Sequence, residues 1–186
     1  MRIRTTFTTL AAALALVALT ACSSSDTSTP PAFNQADVSF AQDMIPHHRQ
    51  ATEMASMAQS RTQSPAVRDL AQQILAAQEP EITEMNKWLK SWDKNVPEDM
   101  TGMSGMSDSS MPGMMSSADM EGLAASSGGA FDKQFLTMMI EHHEGAIEMA
   151  QTEDADGKYP PAVRLAKQIQ KGQSAEIRTM RSLLES

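Results

Sequence analysis

Residues 44–55 read MIPHHRQATEMA and residues 139–150 read MIEHHEGAIEMA, so a shift of 95 positions matches eight of the twelve. The same shift matches Leu70 to Met85 with Leu165 to Met180 at eight of sixteen positions, and Ala66-Val67-Arg68 returns one residue out of step as Ala162-Val163-Arg164. Both copies carry apolar residues at helical spacing, over about 34–61 and 66–94, then over about 131–152 and from the Pro160-Pro161 turn to about Leu184. Each copy therefore reads as a helical hairpin. A single hairpin cannot bury its apolar stripe, whereas two hairpins closing on each other make a bundle. The pattern predicts an all-α fold, a four-helix bundle built from two duplicated hairpins. Pro46 and Pro80 fall inside these segments where the other copy has Glu141 and Ala175, and each is expected to kink or break its helix.

The bundle is expected over residues 34–186, with hairpin 1 at 34–94 and hairpin 2 at 129–186. Residues 95–128 are rich in Met, Gly and Ser and lack periodicity, and they read as a long crossover linker. Ahead of the bundle, Arg2 and Arg4 precede an apolar run too short to span a bilayer, so residues 1–21 read as a secretory signal. Cys22, the only cysteine, follows directly. Leu19-Thr20-Ala21-Cys22 resembles the lipobox of bacterial lipoproteins, which implies that Cys22 carries lipid and that residues 22–33 form a flexible tether. The mature chain would then sit outside the cytoplasm, anchored to a membrane without crossing it. A secreted protein with a free thiol is the other reading.

The formal charge is -8, and removing residues 1–21, which hold Arg2 and Arg4 and no acid, takes it to -10. Such a chain repels nucleic acid, so that class of partner is not expected. The balance suits attraction of cations and equally suits solubility.

At 100° per residue, Met44, His48, Ala51 and Ala55 lie nearly in line, with His47 and Met54 flanking the same side. Met139, His143, Ala146, Ala150, His142 and Met149 repeat the arrangement. On the other helix of each hairpin, Gln78 and Glu81 share a stripe with Ile74 and Met85, as Gln173 and Glu176 do with Ile169 and Met180. Polar groups on a buried face need partners. Glu81 and Glu176 are expected to hydrogen-bond inward histidines and fix their tautomers, leaving the other ring nitrogen free for a ligand. A hydrogen-bond network that only orders the core fits the same pattern. Within each pair, His48 and His143 are expected to lie deepest, and His47 and His142 nearer the rim.

Imidazole and thioether form a soft, uncharged donor set that suits Cu(I) or Ag(I). The linker adds to it: residues 100–120 hold seven of the sixteen methionines, including Met103, Met106, Met111, Met114 and Met115, in a stretch with no core to fill. These read as capture ligands for metal, or as a spacer without function. The bundle methionines read either as core filling or as ligands.

The paired M-I-x-H-H-x-x-A-x-x-M-A segments, each followed by Q-x-x-E-I-x-x-M, resemble the family known as domain of unknown function 305. The resemblance covers about residues 34–186 apart from the linker. It implies a ferritin-like bundle, often exported, whose members include copper binders that use Met and His, and it points to His47, His48, Met54, His142, His143 and Met149. The likeness to ferritin is one of fold alone. Di-iron bundles need Glu-x-x-His motifs, and this chain has none.

The reading is a lipid-anchored, extracytoplasmic copper-binding protein for sequestration, buffering or tolerance, with Met44 and Met139 completing the metal set. It is not expected to be an enzyme, and ferroxidase chemistry is disfavoured. The alternative is a non-catalytic envelope interaction module whose His–Glu pairs only order the core. The partners expected are a metal ion and, through the anchor, a membrane; the sequence names no protein partner.

Overall fold

The computed structural model describes residues 32–97 and 111–186, and there the periodicity becomes four long helices and one short one. They are α1 (Gln35–Arg61), α2 (Pro65–Ser91), α3 (Ser117–Ala125), α4 (Gly128–Asp156) and α5 (Pro160–Leu184). The signal and anchor assignments, Cys22 included, lie outside the described residues. Asn34 starts α1 with a reciprocal cap: its side chain accepts from the Asp37 N–H at 3.1 Å, and the Asp37 carboxylate accepts from the Asn34 N–H at 2.6 Å. Pro65 opens α2 and the Pro160-Pro161 pair opens α5, at positions whose N–H groups would have no helical acceptor.

Neither internal proline breaks its helix. Pro46 lies within a continuous α1 and Pro80 within a continuous α2. Around Pro46 the buried Met44, Ile45, His47 and His48 are packed on both sides of the missing hydrogen bond, and tertiary packing carries the helix through it.

The core divides into two apolar clusters. The first gathers Ala51, Met54 and Ala55 of α1, Leu70 and Ile74 of α2, Phe131, Phe135 and Met139 of α4, and Met180 of α5. The second gathers Phe40 and Met44, Met85 and Leu89, Ala146 and Ala150, and Leu165 and Ile169 of the same four helices. Chain direction follows from this membership. Helix α1 runs from the second cluster to the first, α2 returns, α4 runs parallel to α2, and α5 returns again. The crossover must therefore travel the length of the bundle, about 40 Å for helices of 27 residues.

The described parts of the crossover lie against α1. The Asn95 carbonyl accepts from Gln42 Nε2 at 2.9 Å and the Pro97 carbonyl from Arg49 Nη1 at 2.9 Å. Beyond residues 98–110, which lie outside the described residues, the chain is again fixed at Met111 to Ser116 and then forms α3. This helix was not expected from the sequence. Ser116 and Asp119 cap it reciprocally, and Leu123 buries its apolar side in the first cluster.

At the opposite end, Asp37 Oδ1 accepts from the N–H groups of Lys158 and Tyr159 at 3.0 and 2.8 Å, tying the start of α1 to the α4–α5 turn. Phe33 stacks on Trp92 with centroids 4.6 Å apart, and Tyr159 meets Trp92 edge-on at 5.1 Å. Among the described residues, no helix is long and apolar enough to cross a membrane.

Candidate metal centre

Between the two apolar clusters every long helix contributes polar residues: His47 and His48 from α1, Gln78 and Glu81 from α2, His142 and His143 from α4, Gln173 and Glu176 from α5. All four imidazoles are fully buried, at 0% exposure, and both glutamines are buried, whereas Glu81 and Glu176 keep about a fifth of their side chains in solvent. A polar belt thus crosses the middle of the bundle. It exists because the duplicated stripe places the same polar types at the same height in both hairpins.

The outer imidazoles are held by carboxylates, as expected. His48 Nε2 lies 2.8 Å from Glu81 Oε2, and His143 Nε2 lies 2.7 Å from Glu176 Oε2. The carboxylate accepts, so Nε2 carries the hydrogen and Nδ1 is the nitrogen left over. The inner pair meets at the α1–α4 contact, with the His47 and His142 rings 3.8 Å apart at 38°. The expectation that His48 and His143 would be deepest is not met, since all four are equally buried and the central pair is His47 and His142.

His47 Nε2 donates to the carbonyl of Pro112 at 3.0 Å, a partner that no helix supplies. Burial first, then the neighbouring His48 and His143, push the His47 imidazole down to about 3, against which the Pro112 carbonyl acts. Burial and the His47, His143 and His48 rings likewise hold His142 well below the ordinary imidazole value. Both inner rings are therefore neutral at physiological pH, with lone pairs available. The Nδ1 atoms of all four histidines, and Nε2 of His142, lack a well-formed hydrogen bond, as do the side chains of Gln78 and Gln173. Buried polar atoms without partners are costly, and a water or a ligand is their usual explanation.

Soft donors flank the belt on both sides. Met44 stands one turn before His47-His48 in the second cluster, and Met139 one turn before His142-His143 in the first. Met54 is buried in the first cluster and Met149 packs half-buried against the second, so each side of the belt has one methionine from each copy. Of the linker methionines, Met115 is buried in the first cluster, Met111 and Met114 are half-buried, and Met103 and Met106 lie outside the described residues. Among the described residues, no three His, Cys, Asp or Glu side chains are arranged to hold a metal ion. An ion at the belt would need thioether sulfur to complete its shell.

Sequence reasoning missed how the linker seats on the belt. Gln50 clamps the strand by both ends of its amide, donating to the Met115 carbonyl at 2.9 Å and accepting from the Met115 N–H at 2.8 Å. Gly113 has φ +74°, and a Cβ there would lie 2.5 Å from the Glu141 carbonyl; a Cβ on Gly145 would overlap the Pro112 carbonyl. Gln50 and Gly145 are equivalent positions of the two copies. The glycine in mid-helix, opposite a glutamine in the other copy, was the available signal.

Fold and site together define a helical bundle with a central belt of buried imidazoles, the inner pair neutral, bordered by methionine. The chain belongs to the DUF305 family, a domain of unknown function, whose model matches residues 37–184. Solved structures agree. It is similar to a DUF305 protein of Streptomyces coelicolor described as secreted, at 35% identity and TM-score 0.72, over 81% of this chain and 91% of that one. A DUF305 fragment from Deinococcus radiodurans matches at 34% identity and TM-score 0.72, over 82% and 97%. The protein CopM in its Cu(I)-bound form matches at 32% identity and TM-score 0.66, over 80% and 95%, and CopM is also known in Cu(II)-bound, Ag-bound and apo forms. No curated protein matches the chain.

Proposed function

We propose that this protein is a lipid-anchored, extracytoplasmic binder of Cu(I) and Ag(I) that sequesters or buffers the metal and turns over no substrate. One observation carries the reading: four buried imidazoles meet in one belt, and each leaves Nδ1 without a well-formed hydrogen bond. Neutral inner rings need lose no proton to a metal, and Met44, Met54, Met139 and Met149 provide the soft donors that favour a monovalent coinage ion over Zn or Fe. The copper- and silver-bound forms of CopM support the same class of ligand. Glu81 and Glu176 then act as outer partners, orienting His48 and His143. A likeness to a protein described as secreted supports a location outside the cytoplasm, and Cys22 supplies the anchor.

The test is a titration of the mature protein with Ag(I), followed by nitrogen NMR of the histidine rings and by the methionine ε-methyl signals. Stoichiometric Ag(I) is expected to move the Nδ1 resonances of the inner histidines and at least one methyl among Met44, Met54, Met139 and Met149. Ring and methyl signals unmoved at saturation would rule the reading out.

A further inference from the structure

Among the described residues, the linker reaches the belt at Pro112 and Gly113, and that contact makes its two halves unequal. In the duplicated frame His142 is the counterpart of His47, yet among the described residues only His47 has a linker carbonyl on Nε2. The seat for that carbonyl is built from both copies. Gln50 of α1 holds the backbone of Met115 through two hydrogen bonds, and Gly145 of α4 leaves the space that Pro112 and Gly113 fill. Gly113 needs its positive φ to turn there, and its lack of a side chain lets the backbone lie against Glu141 and His142. Met115 plugs into the first cluster beyond the turn, so the segment is pinned just after the Pro112 carbonyl.

A carbonyl can only accept, so its partner nitrogen must carry hydrogen. The contact therefore sets His47 as the Nε2–H tautomer and directs its lone pair through Nδ1, the task that Glu81 and Glu176 perform for His48 and His143. A backbone carbonyl brings no charge into the belt. We propose that residues 111–116 are a positioning strap for metal binding, in which the Pro112 carbonyl, seated by Gln50 and Gly145, fixes the tautomer and orientation of His47 toward a soft ion shared with His142. The proposal rests on the metal-binding reading above and adds to it a role for a stretch of linker backbone.

Gly145→Ala is the sharpest probe. The new methyl occupies the Pro112 seat, while alanine favours the α4 helix over glycine, so the bundle is retained and the strap is expelled. Gly172→Ala on α5 is the control, because a Cβ there meets nothing within 4 Å. Gln50→Ala, which removes both clamps on Met115, should reproduce a weaker form of the effect.

Three readouts on the mature protein are used: amide exchange of residues 111–116, ring-nitrogen NMR of the His47 tautomer without metal, and Cu(I) competition against a chelator. Gly145→Ala is expected to expose the strap amides, to turn the single Nε2–H form of His47 into a tautomer mixture, and to weaken Cu(I) binding about tenfold or more, as loss of an outer partner typically does. The His48 and His143 tautomers should not move. A Gly145→Ala protein with an exposed strap but an unchanged His47 tautomer would overturn the proposal, and so would a changed tautomer with unchanged Cu(I) affinity. Failure of the unmodified protein to bind Cu(I) would defeat the metal reading instead, with the tautomer measurement still reporting on the strap.

Discussion

Glu81 and His48 show how much a single contact explains. A buried imidazole N–H left without an acceptor costs about 1–3 kcal/mol, so Glu81→Ala should destabilise the fold by that amount, measured by denaturant unfolding. Glu81→Gln keeps an acceptor oxygen and should leave stability within about 1 kcal/mol, but removing the carboxylate should weaken Cu(I) binding about 10–100-fold in chelator competition. Equal effects of the two variants on stability, with no effect of either on binding, would mean that the pair serves only the core. Met54→Leu separates packing from ligation in the same way. Volume is nearly conserved, so the fold should lose less than about 1.5 kcal/mol, while loss of the thioether should lower Cu(I) affinity. The Glu81 and Glu176 contacts could be read from stripe geometry, because helical spacing puts Glu and His at matching heights. The greater depth expected of His48 and His143 failed because spacing along one helix does not say which ring meets the other hairpin. The tilted His47–His142 ring pair belongs to the α1–α4 contact.

Among the elements, the two hairpins were legible because duplication and apolar period agreed over long segments, and their observed limits fall within a few residues of the expected ones. The breaks allowed for at the prolines did not form, for the opposite reason. Local rules count the lost hydrogen bond but not the packing that carries α1 and α2 unbroken through it. The lost bond should still register as a cost. Pro46→Ala restores an N–H for the carbonyl one turn earlier and is expected to raise stability by about 1–3 kcal/mol, read as a higher melting temperature with unchanged helical content. An unchanged or lower melting temperature would show that α1 has adapted its backbone to the proline. Helix α3 was hidden inside a Met- and Gly-rich composition, although Ser116 and Asp119 carried a capping signature. The strap was not legible at all. A positive φ at Gly113 and a close approach at Gly145 have meaning only once α1 and α4 lie side by side.

The whole molecule sets opposing pH trends. His47 is held at about 3, and His142 well below its usual value of 6.5, in the folded state, so below 6.5 the unfolded chain takes up protons that the fold refuses. Their contribution is complete above 6.5 and is lost as pH falls toward 3. Glu153 behaves in reverse. Burial first, then a hydrogen bond with Asp37 and the charges of Asp37 and Asp156, raise its carboxyl from 4.5 to about 8, so folding retains a proton that the unfolded chain has released. Stability is lost as pH rises from 4.5 toward 8. Thermal melts across this range should peak on the mildly acidic side of neutrality. Glu153→Gln, a neutral side chain that can still donate to Asp37, should remove the alkaline decline and leave the acid decline in place; an alkaline limb unchanged in this variant would contradict the assignment.

One architecture joins these scales. Two copies of a hairpin close so that their polar stripes meet as a belt between apolar clusters, and the crossover, forced to run the length of the bundle, passes the belt on its way. The central claim is that the inner imidazoles hold a soft ion. Cu(I) competition against a chelator, comparing the mature protein with a His47→Leu/His142→Leu double variant whose helical content is verified by circular dichroism, tests it most directly. The account predicts affinity lowered by more than about a hundredfold, beyond what loss of an outer partner typically produces; a folded double variant that binds Cu(I) as tightly as the unmodified protein would contradict it.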